Sequence, residues 1–130
     1  MDSEAARRIL CECEAKHKAL AEKMADIGFI HQGSVVKRYM QCGRSSCACH
    51  KDPASRHGPY YYWSTKVGGK SVAKMITSQQ AELLGRWVKN RNEMDAIVTQ
   101  MKEISRVAFD AALFLIDEEK DDSSSKKSQE

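Results

Sequence analysis

Tyr60-Tyr61-Tyr62-Trp63-Ser64-Thr65-Lys66-Val67-Gly68-Gly69-Lys70-Ser71-Val72-Ala73-Lys74-Met75-Ile76 is the stretch that decides the fold. Two runs rich in β-forming residues flank a Gly-Gly pair, and a two-residue hairpin turn needs the positive φ angles that glycine adopts freely. The spacing predicts a hairpin in which Val67 opposes Lys70, Thr65 opposes Val72 and Trp63 opposes Lys74. Strand alternation then puts Tyr61, Trp63, Thr65 and Val67 on one face and Tyr60, Tyr62, Ser64 and Lys66 on the other. Both faces carry aromatic rings, so the pattern alone leaves open which one is buried.

Working outward, Ser34-Val-Val-Lys-Arg-Tyr-Met40 reads as a third strand, and residues 42–59, seeded with Cys, Gly, Ser and Pro, read as a loop. Residues 3–27 have the apolar stripe Ala6, Ile9, Cys13, Leu20, Met24 and Ile27, with Asp2 or Ser3 as cap and Gly28 as stop. Thr77-Ser-Gln-Gln80 has the form of a capping box and opens a helix expected over 78–118. Within it Trp87, Met94, Met101, Ala108 and Leu115 recur every seven residues. Ile97, Ile104 and Ala111 fill the complementary positions, with Asn90 as the polar exception. This is a seam for helix packing. Residues 120–130, polar and without core-forming side chains, are expected to be a disordered tail. The expectation is one α+β domain over 1–119: a small antiparallel three-stranded sheet with a Cys-rich loop (33–76), flanked by an N-terminal helix and a long C-terminal helix.

The chain has 130 residues, enough for one core and little more. No apolar run approaches the roughly 20 residues of a membrane span, and Met1-Asp-Ser-Glu-Ala-Ala-Arg-Arg8 has no signal-peptide core, so a cytoplasmic location is expected. The net charge of +3 conceals a strong bias. Between residues 33 and 76 stand Lys37, Arg38, Arg44, Lys51, Arg56, Lys66, Lys70 and Lys74 against Asp52 alone, while the flanking segments are mildly acidic. A clustered positive field of this kind favours a polyanion.

Cys42-Gly-Arg-Ser-Ser-Cys47-Ala-Cys49 and His57, all within sixteen residues, supply ligands suited to zinc. His50 is the alternative fourth ligand, but it directly follows Cys49 and would have to fold back. Reduced structural thiols are the competing reading, and an iron–sulfur cluster is disfavoured because no fourth cysteine follows at a suitable distance. Cys11 and Cys13 lie two apart on a helix and point in different directions, so Cys13 is read as a small core residue. Three thiolates and one imidazole would close a tetrahedron and leave no water to activate. No glutamate stands near to act as base, so a structural staple is expected and not an enzyme.

The aromatic run and its cations suggest a nucleic-acid surface, with Lys37, Arg38, Arg44, Arg56, Tyr62, Trp63, Lys66, Lys70 and Lys74 as contacts and DNA favoured over RNA. The competing role for the same aromatics is core against the long helix. Leu113, Phe114 and Ile116 widen the apolar surface of the last helix, so residues 87–116 are a candidate homodimer or adaptor surface.

Gly33-Ser34-Val35, the Cys42-to-Cys49 loop, His57-Gly-Pro-Tyr-Tyr-Tyr62 and Gly68-Gly69-Lys70 together resemble a small bacterial and phage family of unknown function, over Gly33 to about Asn92. The resemblance implies that the Cys/His set is the shared core of the module, which strengthens the metal reading. Members often accompany mobile-element genes, which implies work on nucleic acid. At the level of pattern only, the hairpin-then-helix order is also similar to the arm-binding domains of tyrosine recombinases.

Overall fold

A computed structural model describes residues 1–128, with side chains through residue 122. The order is α1 (Ser3–Ala25), β1 (Ser34–Met40), β2 (His57–Val67), β3 (Lys70–Ile76) and α2 (Ser78–Ser128), with short 3₁₀ turns at Ala48–His50 and Pro53–Ser55. The expected α+β class and its three-stranded sheet are present. The chain forms two compact units, one of residues 1–27 with α2 from Met94 onward, the other of Gly28–Glu93.

In the helical unit, the Asp2 carboxylate accepts the Ala5 N–H at 2.8 Å and so starts α1. Three residues of α1 are buried, Ala6, Cys13 and Leu20, spaced by seven. On α2 the buried Ile97 and Ala111 bracket the half-buried Ile104 at the same spacing. Leu10, Cys13 and His17 from α1 and Ile104, Ser105 and Ala108 from α2 wall one small hollow, so the two helices pack through these stripes. Ala6 and Ala111, both essentially without exposure, stand at the ends of the two stripes. Cys13 is the small core residue its position suggests.

The Thr77 capping box closes in both directions: the Thr77 N–H donates to Gln80 Oε1 at 2.9 Å and the Gln80 N–H to Thr77 Oγ1 at 3.1 Å. α2 continues past residue 118, the expected end, to Ser128. Residues 120–128 of the expected tail are therefore helical, and 129–130 lie outside the described residues. The physical reason is that no Gly or Pro interrupts the Asp/Ser/Lys run.

In the other unit the strands are antiparallel in the order β1-β2-β3, and the expected hairpin register holds pair for pair. Gly68 and Gly69 take φ of 57° and 81°, the positive values of a type I′ turn. β2 begins at His57, three residues before its expected start, because Met40 pairs with His57 across a register slip after Arg38. Gly58 makes that slip possible. Its φ is +135°, and a Cβ there would stand 2.8 Å from the Arg38 carbonyl oxygen.

The register also answers which face is covered. Val35 and Tyr61 line one hollow with Ser78, Gln79, Ala81 and Glu82, so the Tyr61/Trp63 face looks toward the start of α2. Residues 28–32 bind the same face. The Trp63 indole N–H donates to the Gln32 carbonyl at 3.0 Å, and the ring meets His31 edge-on at 5.5 Å. Phe29 packs on Trp87 with centroids 5.0 Å apart, the His31 N–H donates to the Trp87 carbonyl, and Asn90 Nδ2 donates to the Phe29 carbonyl at 2.9 Å. The polar exception in the seam thus ties the 28–31 segment to α2.

Gly33 turns the chain from that segment into β1 at φ +94°, and a Cβ at this position would collide with the Trp63 indole. Gly85, inside α2, has no unusual φ, and a Cβ placed there would meet nothing within 4 Å. Opposite outcomes are expected for the same substitution. Gly33→Ala lowers the free energy of unfolding by about 2 kcal/mol, while Gly85→Ala raises it by about 0.5–1 kcal/mol, both read from urea melts.

Candidate metal centre

The end of β1 and the start of β2 are joined by a loop whose only buried residue is Cys49. Cys42 stands two residues after the end of β1. Cys47 is in extended backbone (φ −72°, ψ 142°) immediately before the first 3₁₀ turn, and Cys49 lies within it. That change of conformation between ligands is what lets a Cys-x-Cys pair converge, which neither a regular helix nor a strand allows. The Asp52 carboxylate then accepts the Ala54 N–H at 3.0 Å and the Ser55 hydroxyl at 3.4 Å. This caps the second 3₁₀ turn and sends the chain back toward His57.

The outcome is one cluster. The ligand atoms of Cys42, Cys47, Cys49 and His57 all lie within 4.8 Å of one another. Cys42 Sγ is 3.6 Å from Cys49 Sγ, and Cys47 Sγ is 3.5 Å from His57 Nε2. A tetrahedral ion with metal–sulfur bonds of about 2.3 Å and a metal–nitrogen bond of about 2.0 Å would set such edges at about 3.5–3.8 Å. The four side chains can hold a metal ion. His50 stands outside the set: its Nε2 is 2.8 Å from the Cys42 carbonyl oxygen, where the ring N–H donates and fixes the loop's entrance. The fourth member of the cluster is therefore His57.

Electrostatics distinguishes the thiols. The Cys49 backbone N–H, then His57, then the neighbouring thiols bring Cys47 down to about 6. Cys49 accepts the Cys42 N–H at 3.4 Å, which favours its thiolate, but burial and the adjoining thiols outweigh that and push it above the usual thiol value. Near neutral pH the cluster thus has one ready thiolate and at least one thiol that must lose its proton to a metal.

The cations expected to contact nucleic acid do not form a single patch. Arg38 and Lys66 share the outer sheet face with Tyr62. Lys37, Lys70 and Lys74 are exposed on the two edge strands, in the register of the helix-facing side. Arg44 and Arg56 are exposed on the cysteine loop. Trp63 is turned toward residues 31–32 and engaged there, away from Tyr62. Sequence reasoning missed two contributors to the loop: His50 as a carbonyl clamp and Asp52 as a turn cap.

Among known proteins, the family model described as Domain of unknown function (DUF6788) matches residues 10–85, a span that contains the whole cysteine loop and sheet. No curated protein matches the chain, and no solved structure does.

Cobalt(II) titration should give one tetrahedral, thiolate-rich site per chain. Cys47→Ser and Cys49→Ser should abolish it, and His50→Ala should keep its stoichiometry. Metal uptake releases protons near neutral pH, and affinity falls increasingly as pH drops below about 6, where Cys47 becomes protonated. A pH-independent affinity would contradict this assignment.

Proposed function

The chain belongs to the DUF6788 family, a domain of unknown function, and we propose that it is a non-enzymatic, zinc-stapled nucleic-acid-binding protein, with DNA as the first ligand to test. Zinc is the ion favoured by three thiolates and an imidazole at tetrahedral separations. Four protein ligands fill its coordination sphere, which suits a structural role. Metal binding of order 10 kcal/mol is ample to order a loop that buries a single side chain. The ordered loop then fixes β1 against β2.

The observation that carries the nucleic-acid reading is the charge of the unit so stapled. Eight lysines and arginines between residues 33 and 76 face Asp52 alone. That aspartate is spent on capping a turn. Such a surface attracts phosphate from a distance and holds it by ion pairing that salt screens. The mobile-element setting implied by the family resemblance accords with such a role. Binding to a labelled DNA is expected to fall linearly on a log–log plot against salt. Removing Arg38, Lys66 or Lys74 should reduce the slope by about 0.7–0.9 each, and chelation should weaken binding. Absence of binding to DNA and RNA at low salt would refute the reading.

A second reading, an adaptor acting through α2, rests on Phe109, Leu113 and Ile116. They stand at i, i+4 and i+7 and are 62%, 40% and 49% exposed. Under it, a second copy of the chain pairs along this stripe, and Phe109→Glu converts a dimer to a monomer in sedimentation without changing metal content. A monomeric parent chain would dismiss it.

A further inference from the structure

We infer that the ligand of the outer sheet face is a single strand of nucleic acid with its bases unstacked, held by Tyr60, Tyr62 and Arg38. This rests on the nucleic-acid reading above and specifies the site and the form of the ligand.

The register divides the sheet into two unlike surfaces. The inner one, through Val35, Tyr61 and Trp63, looks onto the start of α2 across a hollow and is bonded by residues 31–32. On the outer one Arg38 lies opposite Tyr60, and Val36, Tyr62 and Met75 form a row across all three strands. Arg38 and Lys66 are exposed, and Met75 is 55% exposed. No acidic residue occurs on any of the three strands. A face that combines aromatic rings, a thioether and cations, with no carboxylate, suits a ligand that is anionic and planar at once.

Spacing chooses between single strand and duplex. Tyr60 and Tyr62 are two residues apart on the central strand, hence about 7 Å apart. Stacked bases repeat at about 3.4 Å. Rings at twice that interval match bases that have been drawn apart, and duplex bases offer no free π-face to an aromatic side chain. The Arg38 guanidinium lies 5.4 Å from the centre of the Tyr62 ring, which adds a second flat, cationic surface for a base.

Beside that face, at the margin of the sheet, Ser34, Ser64, Lys66 and Ser71 line an open hollow of about 500 Å³ together with Gln32, Gly33, Thr65 and Arg91. Three hydroxyls and an ammonium suit a backbone phosphate. The stacking platform thus has a phosphate seat at its margin, the two features that single-strand binders combine.

The test uses the zinc-loaded full chain and a fluorescently labelled mixed-sequence strand of about 16 nucleotides, alone and annealed to its complement. The single strand should bind more tightly than the duplex. Tyr62→Ala should weaken single-strand binding at least about fivefold, and Tyr62→Phe should retain it, because stacking needs the ring and not the hydroxyl. Arg38→Ala, at an exposed position, should weaken it as well, and serves if Tyr62→Ala fails to fold. Equal or tighter duplex binding, unaltered by Arg38→Ala and Tyr62→Ala, would overturn this inference and leave the nucleic-acid reading intact. No binding to either form would overturn both.

Discussion

The constraint on which the sheet unit depends is the convergence of Cys42, Cys47, Cys49 and His57 between β1 and β2. The loop that carries them has one buried side chain, Cys49, and no apolar cluster of its own. Its order comes instead from polar and sulfur contacts: the His50 imidazole on the Cys42 carbonyl, the Asp52 cap, and the Cys42 amide on the Cys49 sulfur. Each is worth on the order of 1 kcal/mol, and a loop of this length costs more than that to immobilise. Under the proposed function, a tetrahedral ion at the four side chains would supply the missing term and pin the ends of two strands at the same point.

The two compact units solve the problem of a small core differently. The helical unit uses a repeated stripe of small and medium apolar side chains, with Ala6, Cys13 and Leu20 on α1 and Ile97 and Ala111 on α2. The sheet unit buries Cys49, Ala81 and Val88 and otherwise relies on half-buried aromatics and hydrogen bonds from residues 28–33. Among the described residues only eight are buried, too few for the sheet unit to be rigid through apolar packing alone. The proposed metal staple and the proposed charge-based binding would therefore be complementary there. Cations that would repel one another on a loosely held sheet would be tolerated on a stapled one.

Much of this was legible in the chain. Gly68-Gly69 and the alternation around it dictated the hairpin register, and Thr77 and Gln80 located the start of α2, because these signals are local. The clustering of Cys42, Cys47, Cys49 and His57 was legible too, since three thiols and an imidazole stand so close together in the sequence. What sequence could not decide was long-range. The choice of buried face turned on the Gln32 carbonyl and the segment that presents it, which no periodicity encodes. Tyr60 and Tyr62 looked equivalent to Tyr61 and Trp63 until that contact separated them. The start of β2 moved to His57 because Gly58 accommodates the slip beside Arg38, a feature invisible without the partner strand. The end of α2 was misplaced for the opposite reason: the Asp/Ser/Lys run is polar enough to read as tail but lacks any residue that stops a helix. No helix among the described residues is long and apolar enough to cross a membrane.

The central claim is that the ion at the Cys/His cluster is what holds β1 against β2. Amide hydrogen exchange followed on zinc-loaded and chelated protein tests it residue by residue. Chelation should strip protection from residues 36–42 and 57–62 and from the cysteine loop, while α1 and α2 beyond Met94 keep theirs. Unchanged protection of β1 and β2 after the metal is removed would contradict the account.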